Sequence, residues 1–464
     1  MPHEAMPFLA DRIVCSAQGL AHRGLPREDG YISPGALFAR NVSMLAGSRA
    51  LAYVVVLAAS PILTRLYTPE DFGVLAVFVA ILGLMLTIAS WRYEIAIPLP
   101  RDEAVAANLL TLTLIILAGM SALFSVGMVF VGEKLIVWTK TPALRPYLWL
   151  LPVSLAAAGL YQVFNYWALR RKAFTKIAHT RLAQGLGTVA SQLSIGLAFL
   201  GPLGLLVGDA VGRAAGSGTL ASLVWREREK IFKQVTRRGM IAAAQRYRRF
   251  PLLSGGSGLL NTGGLILPPL LLAAFYGPAV AGLFALAMKV ICMPTVLLGE
   301  AVGQVFMSEG TRTLRESPED LGMLFRKTAT VLLLVGPAPI CLSSFIAPQA
   351  FALVFGESWR AAGEYARFLA FPFAASFVVN PLTPMFDILE RQDWELAWVC
   401  GRLALVVGGL FAAHALGFSA RSAVMIYSAT MLIGYLANLT LVAAAVRSHN
   451  RTLRLRVAAE TGQA

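Results

Sequence analysis

Long apolar runs alternate with short polar connections over most of this chain. A run of about 20 mainly apolar residues can cross the hydrocarbon core of a bilayer as an α-helix, because each residue advances the helix by about 1.5 Å. Twelve such runs lie at approximately residues 41–64, 72–91, 104–131, 147–169, 177–200, 203–225, 252–275, 280–307, 327–347, 365–390, 394–416 and 421–446. The pattern predicts an all-α membrane protein with twelve transmembrane helices.

The composition also favours a membrane protein. Of the 464 residues, 57% are hydrophobic and 14% are charged. Soluble globular domains are roughly half apolar and a quarter charged. The net charge of +15 would suggest nucleic-acid binding in a soluble chain, but the cytoplasmic loops of membrane proteins accumulate the same excess. We therefore expect no nucleic-acid partner.

The four cysteines are widely separated and form no CxxC pair; they are Cys15, Cys292, Cys341 and Cys400. Metal sites and disulfide scaffolds usually contain closely spaced cysteines, and no histidine stands near them in ligand spacing. The sequence therefore predicts neither a metal site nor a disulfide framework, and it implies no cofactor.

Basic residues predict the orientation in the membrane. The connections after the fourth and sixth runs contain "LRRKAFTKIAHTR" and "WREREKIFKQVTRRGMIAAAQRYRRF", whereas odd-numbered connections such as "GPLG" and "YGPAVAG" contain no basic residue or few. Because lysine and arginine accumulate on the cytoplasmic side, both termini are expected in the cytoplasm. The opening residues lack the apolar core of a signal peptide.

One short motif occurs twice, 209 residues apart: "LYTPEDFGVLAVF" at 66–78 and "FYGPAVAGLFALA" at 275–287. A weaker pair, "YWALRRKAF" and "FDILERQDW", matches at Leu169 with Leu389 and at Arg171 with Arg391, 220 residues apart. Each pair occupies corresponding connections of two six-helix halves. Repeated bundles of this kind are typical of transporters, whose substrates bind between the halves near the middle of the membrane.

The repeat divides the chain into five parts. We predict a cytoplasmic amino-terminal tail at 1–39, a first six-helix bundle at 40–225, a basic linker at 226–250, a second bundle at 251–446 and a cytoplasmic carboxyl-terminal tail at 447–464. The linker is interpreted as an amphipathic helix lying against anionic lipid headgroups.

Ionisable residues inside the predicted spans are candidate functional residues, because a charge in the membrane needs a wet cavity or a partner. Lys289 lies deep in the eighth span among apolar neighbours, which favours a side chain directed into a cavity. Glu300, three helical turns further on, is expected on the same face. Arg49 either faces the cavity or extends to the interface.

Asp209 and Arg213 stand four residues apart in the sixth span and can pair with each other. They are interpreted as a structural pair or a coupling site. Arg402, in the eleventh span, is expected to extend to the inner surface and to be structural. Arg92 and Glu94, at the end of the second span, look by residue chemistry alone like an interfacial anchor.

Four segments in this order resemble a known family: "LYTPEDFGVLAVF", "RYEIAIPLPRDEAVAANLL", "RYRRFPLLSGGSGLLNTGG" and "AGLFALAMKVICMPTVLLGEAVGQVF". They are similar to the bacterial polysaccharide-biosynthesis flippases of the multidrug/oligosaccharidyl-lipid/polysaccharide exporter (MOP) superfamily. The resemblance implies two pseudo-symmetric six-helix bundles around a central, cationic cavity, as in the MATE-like fold. It also makes Arg92 and Glu94 stronger candidates for functional residues, because they match a family motif.

The resemblance implies a flippase of the bacterial inner membrane that moves a polyprenyl-pyrophosphate-linked oligosaccharide by alternating access. Arg49 and Lys289 are then the leading pair for the pyrophosphate, with Glu300, Arg92 and Glu94 as further substrate-binding candidates. The expected partners are the lipid-linked oligosaccharide, membrane lipids and other polysaccharide-assembly proteins.

Two alternatives remain open. One is another MOP exporter, such as a peptidoglycan-precursor flippase. The other is a membrane-embedded polysaccharide polymerase or ligase, which is disfavoured because the predicted outward connections are short. We therefore predict a transporter and not an enzyme. A drug exporter is disfavoured because Arg49 and Lys289 would repel a cationic drug.

Overall fold

The computed structural model describes residues 34–199, 201–293 and 295–460. The chain is helical over nearly all of these residues, and this part contains no β-strand. Most of the predicted amino-terminal tail and the end of the predicted carboxyl-terminal tail fall outside it. The side chains of several helical residues, including Glu300, also lie outside the described structure.

The first half consists of helices joined by short turns. They are α1 (Pro34–Ala58), α2 (Ser60–Leu66), α3 (Pro69–Ile88), α4 (Glu103–Thr139), α5 (Leu150–Arg170), α6 (Phe174–Ala198), α7 (Leu203–Ala214) and α8 (Ser217–Arg226). Two further helices follow in the predicted linker, α9 (Arg228–Gln234) and α10 (Arg237–Arg246).

The second half begins with a π-helical segment, Phe250–Ser254, and contains another at Thr295–Gly299. Its α-helices are α11 (Gly255–Tyr276), α12 (Pro278–Ile291), α13 (Glu300–Glu316), α14 (Leu321–Val335), α15 (Pro337–Phe355), α16 (Arg360–Val379), α17 (Met385–Ile388), α18 (Gln392–Ala415) and α19 (Ala420–Glu460).

Eight segments of the described chain are long and apolar enough to cross a membrane. They are Gly47–Leu66, Pro69–Ile88, Glu103–Thr139, Gly258–Tyr276, Pro318–Phe355, Glu357–Ile388, Gln392–Ala415 and Ala420–Leu453. Shorter or more polar helices occupy the four other predicted spans. The membrane-protein class is confirmed, whereas the number twelve stays a prediction.

The predicted eighth span, 280–307, is not one continuous helix. It divides into α12, the π-helical segment Thr295–Gly299 and α13. A π-helix has more residues per turn than an α-helix and therefore shifts the register of the side chains that follow. The single regular helix expected between Lys289 and Glu300 is therefore not observed, and the predicted common face of the two side chains stays a prediction.

The repeated motif starts α3 and α12 in the same way, with a proline in the first turn. At α3, the Thr68 hydroxyl accepts a hydrogen bond from the Asp71 N–H (3.2 Å), and the Asp71 carboxylate accepts one from the Thr68 N–H (2.9 Å). This capping box satisfies donors that the start of a helix leaves unpaired. Pro278 has the corresponding place in α12, after Gly277 at a φ of 94°.

The two copies of the motif lie against each other. A Cβ atom added to Gly73 would meet the carbonyl oxygen of Pro278 at 1.8 Å, and one added to Gly282 would meet that of Pro69 at 1.9 Å. Only glycine allows the backbones to approach so closely. We call these two reciprocal contacts the crossed-repeat contact.

A third interaction joins the halves beside the crossed-repeat contact. The Trp359 indole is fully buried, donates a hydrogen bond to the Thr64 carbonyl (3.1 Å) and packs edge-on against Phe72 at 4.9 Å between ring centroids. In the predicted orientation this apolar closure lies on the outer side of the membrane.

The linker helices pack on the first half. The buried Asn108 of α4 donates to the Gln234 carbonyl (2.9 Å) and accepts from the Thr236 N–H (2.9 Å), between α9 and α10. Tyr93 also donates to the Ala244 carbonyl (3.1 Å). The part of the linker that the structure describes therefore contacts protein, in addition to any contact with headgroups.

Candidate functional site

A cavity of about 700 Å³ lies among α1, α5, α6 and α7 of the first half, and α12 of the second half closes one side. Its volume falls within the roughly 300–1,000 Å³ of small-molecule sites. The lining combines positively charged side chains with tyrosines and amides, which is unusual for the interior of a membrane protein.

Four of the residues that line the cavity are cationic: Arg49, Arg181, Arg213 and Lys289. Asp209 is the acidic residue of this lining, and it is already engaged. The Arg213 guanidinium donates to both carboxylate oxygens of Asp209, at 2.6 and 3.2 Å. The predicted pair therefore forms and is internally neutral, and the lining contains three further cationic side chains.

Lys289 connects the second half to the first. Its ammonium group donates to the Ser60 hydroxyl (2.9 Å) and the Val56 carbonyl (3.3 Å), and the Tyr53 hydroxyl donates to the Lys289 carbonyl. Both partners of the ammonium group are neutral, so these bonds orient the charge without cancelling it. The structure thus places Lys289 on the cavity and at the junction of α12 with α1 and α2.

Arg49 and Arg181 line the same cavity from α1 and α6. Arg181 donates to the Leu45 carbonyl (2.8 Å) and lies beside the Tyr161 hydroxyl. Arg181 was not among the candidates predicted from the sequence, because it stands at the end of a basic connection, only a few residues inside the fifth predicted span. Its spacing from Gln184, Gly185 and Thr188, along one face of α6, was the available signal.

A second group of lining residues was also missed from the sequence. Tyr161, Gln162, Asn165 and Tyr166 form two adjacent rows along α5, each with a spacing of four residues. Four polar or amphipathic residues on one face of a predicted membrane span are a recognisable pattern. The candidates predicted from the sequence were charged residues, so these neutral residues were not among them.

Arg92 and Glu94 are not part of the cavity lining. Glu94 is fully buried and accepts hydrogen bonds from Ser90 (2.5 Å) and from the amide of Gln162 (2.9 Å). Burial raises the pKa of Glu94, which lies after the end of α3. Glu94 reaches the cavity only through Gln162.

Arg92 adopts a left-handed backbone conformation, with a φ of 62°. Its guanidinium lies against Gly258 of α11, where a Cβ atom would meet Nη2 at 2.0 Å. The interpretation of Arg92 as an interfacial anchor therefore omits a contact between the halves.

Two further predictions have different outcomes. The side chain of Glu300 lies outside the described residues, so its role stays a prediction. Arg402 does not extend to the inner surface as expected. It is 7% exposed, its guanidinium stacks on Trp398 at 4.6 Å, and the aliphatic part of its side chain packs closely against Gly434 of α19. The nearby indole ring holds the guanidinium inside the second half.

Comparisons with known proteins agree with this geometry. Residues 62–364 match the sequence model of a family described as "Polysaccharide biosynthesis protein". A search of curated proteins finds no significant match.

Solved structures with a similar fold include a multidrug resistance MATE family transporter of the MOP superfamily in its inward-facing conformation. This structure is 14% identical, with 88% of this chain and 96% of that chain covered and a TM-score of 0.65. The lipid II flippase MurJ in an inward closed conformation is 11% identical, with 92% of each chain covered and a TM-score of 0.66. An outward-facing MATE family transporter is 14% identical, with 89% of this chain and 95% of that chain covered and a TM-score of 0.53.

At these identities, the likeness to solved structures shows a shared fold. The fold is that of MOP-superfamily transporters, as the sequence motifs predicted. The sequence model of the family covers well over half of the chain. The chain therefore belongs to the polysaccharide biosynthesis protein family.

Proposed function

We propose that this protein is a flippase that moves a polyprenyl-pyrophosphate-linked oligosaccharide across the bacterial cytoplasmic membrane. The observation that carries this proposal is the cavity, whose lining holds four cationic side chains and one acidic side chain, Asp209, which is paired with Arg213. A pyrophosphate carries two or more negative charges. Arginine and lysine can bind it with charge-assisted hydrogen bonds.

Alternating access requires that the two halves separate on one side of the membrane while they meet on the other. The crossed-repeat contact and buried Trp359 supply a tight closure on the predicted outer side. The TM-score is higher for the inward-facing MATE family structure (0.65) than for the outward-facing one (0.53), which supports a cavity that opens toward the cytoplasm.

Lys289 is the residue that connects substrate and conformation in this proposal. Its ammonium bonds to Val56 and Ser60 join α12 to α1 and α2. An anion in the cavity would compete for the same ammonium protons. Binding of the pyrophosphate would therefore weaken this connection between the halves at the moment when the protein must change conformation.

The test is complementation of a strain that lacks this gene and accumulates carrier-linked sugar inside. Joint replacement of Arg49 and Lys289 by alanine is expected to abolish surface glycan export while membrane insertion stays normal. Lys134→Ala removes an exposed lysine of α4 and should leave export unchanged. Full export by the double variant at normal expression would refute the role of this pair.

One alternative within the same class follows from the similarity to a protein described as a lipid II flippase. If this chain moved the peptidoglycan precursor instead, it would rescue growth of a strain depleted of its lipid II flippase. We expect no rescue. Rescue together with unchanged surface glycan in the deletion strain would replace the proposed substrate.

A further inference from the structure

The cavity has two chemically different walls. Arg49, Arg181 and Lys289 present positive charge, whereas the face of α5 presents neutral side chains: Tyr161, Gln162, Asn165 and Tyr166. A site for the pyrophosphate alone would need only the first wall. The second wall therefore points to another part of the substrate.

Asn165 identifies the chemistry of that part. It lines the cavity, and its Oδ1 atom is buried without a hydrogen-bond partner. A buried acceptor without a partner is rare and unfavourable, so it is a marker of a missing donor. An ionised pyrophosphate offers only acceptors and a polyprenyl chain offers neither group, whereas a sugar offers hydroxyl or acetamido donors.

Gln162 is held in a fixed orientation beside Asn165. Its amide nitrogen donates to Glu94 (2.9 Å), and Ser90 holds the same carboxylate at 2.5 Å. With one amide proton engaged, the side chain can offer a ligand its carbonyl oxygen and its second N–H. A pre-oriented amide binds a neutral polar ligand with little loss of side-chain entropy.

The two tyrosines complete a surface suited to carbohydrate. Their rings are flat and apolar, and each ends in a hydroxyl group that can donate or accept a hydrogen bond. A sugar ring has the matching character, with C–H groups on its faces and hydroxyl groups around its edge.

We propose that the α5 face, through Asn165, Gln162 and the two tyrosines, binds the sugar directly attached to the pyrophosphate. This inference rests on the proposed flippase function and assigns a separate subsite within the cavity. The pyrophosphate lies toward Arg49 and Lys289, so the first sugar meets the amides and rings. Glu94 acts as a positioning residue because it orients Gln162 without reaching the cavity.

Binding measurements on the purified full-length protein can separate the two walls. The probes are farnesyl diphosphate and farnesyl diphosphate carrying glucose, galactose or N-acetylglucosamine. We expect at least one sugar-linked probe to bind more tightly than the bare diphosphate. Asn165→Leu is expected to lower the affinity for that probe by about three- to tenfold, as for loss of one neutral hydrogen bond. The affinity for the bare diphosphate should stay unchanged.

Three controls accompany this comparison. Asn165→Leu keeps the branched shape of the side chain and removes an unpaired acceptor, so its melting temperature should be equal to or above that of the wild type. Asn380→Leu alters an exposed asparagine and should change neither affinity. Arg49→Ala should lower the affinity for all probes by the same factor.

The outcomes also separate the two proposals. Equal binding of bare and sugar-linked probes by the wild type would overturn the sugar subsite and leave the flippase proposal intact. The subsite is also refuted if Asn165→Leu affects every probe equally or none. Failure of the wild type to bind any probe would instead count against the proposed function itself.

Discussion

Alanine at position 73 is expected to force the outer closure apart. The added methyl group would stand 1.8 Å from the Pro278 carbonyl oxygen, whereas ordinary contact begins at 3.4 Å, so the backbones must part by about 1.6 Å. The clash is with backbone, which cannot rotate away as a flexible side chain can. The substitution should therefore mainly destabilise the state in which the crossed-repeat contact is formed.

Overpacking of this kind typically costs about 1–3 kcal/mol. If the outward-open state lacks the crossed-repeat contact, that cost falls only on the closed state. The ratio of outward-open to inward-facing protein should then rise roughly fivefold to 150-fold. Gly282→Ala is expected to act in the same direction, because its Cβ would meet the Pro69 carbonyl at 1.9 Å.

The assay uses a single cysteine at Ala52, which lines the cavity, in a background without the natural cysteines. A membrane-impermeant thiol reagent added outside reaches this position only when the outer side opens. Gly73→Ala should increase the rate of external labelling. Gly119→Ala, whose Cβ would meet nothing within 4 Å, should not change it. Unchanged labelling with a folded Gly73→Ala protein would refute the crossed-repeat contact as the outer closure.

Two other predictions concern charge and topology. Because burial raises the pKa of Glu94, the folded protein keeps this proton to a higher pH than the unfolded chain, and the wild type loses stability as pH rises through the folded-state value. The melting temperature of Glu94→Gln relative to that of the wild type should therefore increase as the pH rises above about 4, the usual pKa range of a free carboxyl group; a constant difference would contradict this. Cysteines placed at the exposed positions Ala279 and Gln234 are expected to label from opposite sides of the membrane, outside and inside respectively. Labelling from one side would overturn the predicted orientation.

The class of fold was accessible from the sequence because hydrophobic length and repetition are properties of the chain itself. The repeat predicted that 66–78 and 275–287 occupy corresponding turns of two halves. It could not predict that Gly73 and Gly282 each pack on the proline of the other copy. Contact between repeats depends on how the halves meet, and the one-dimensional pattern contains no information on that approach.

The candidate site was predicted in part. The depth and apolar neighbours of Lys289 indicated a side chain directed inward, and it lines the cavity. The single regular helix expected between Lys289 and Glu300 was wrong, because α12 ends at Ile291 and a π-helical segment precedes α13. Arg402 shows a different limit: a nearby tryptophan and glycine allowed burial of an arginine for which depth alone suggested exposure.

The most direct test of the flippase proposal is reconstitution of the purified protein in liposomes that contain a fluorescent polyprenyl-diphosphate-linked sugar. The fraction of the lipid accessible to a membrane-impermeant quencher would be measured over time. The wild type is expected to move the lipid between leaflets, and the protein with Arg49 and Lys289 both replaced by alanine is expected to move it no faster than empty liposomes. Equal movement by both proteins, or none by the wild type, would contradict transport through the cationic cavity.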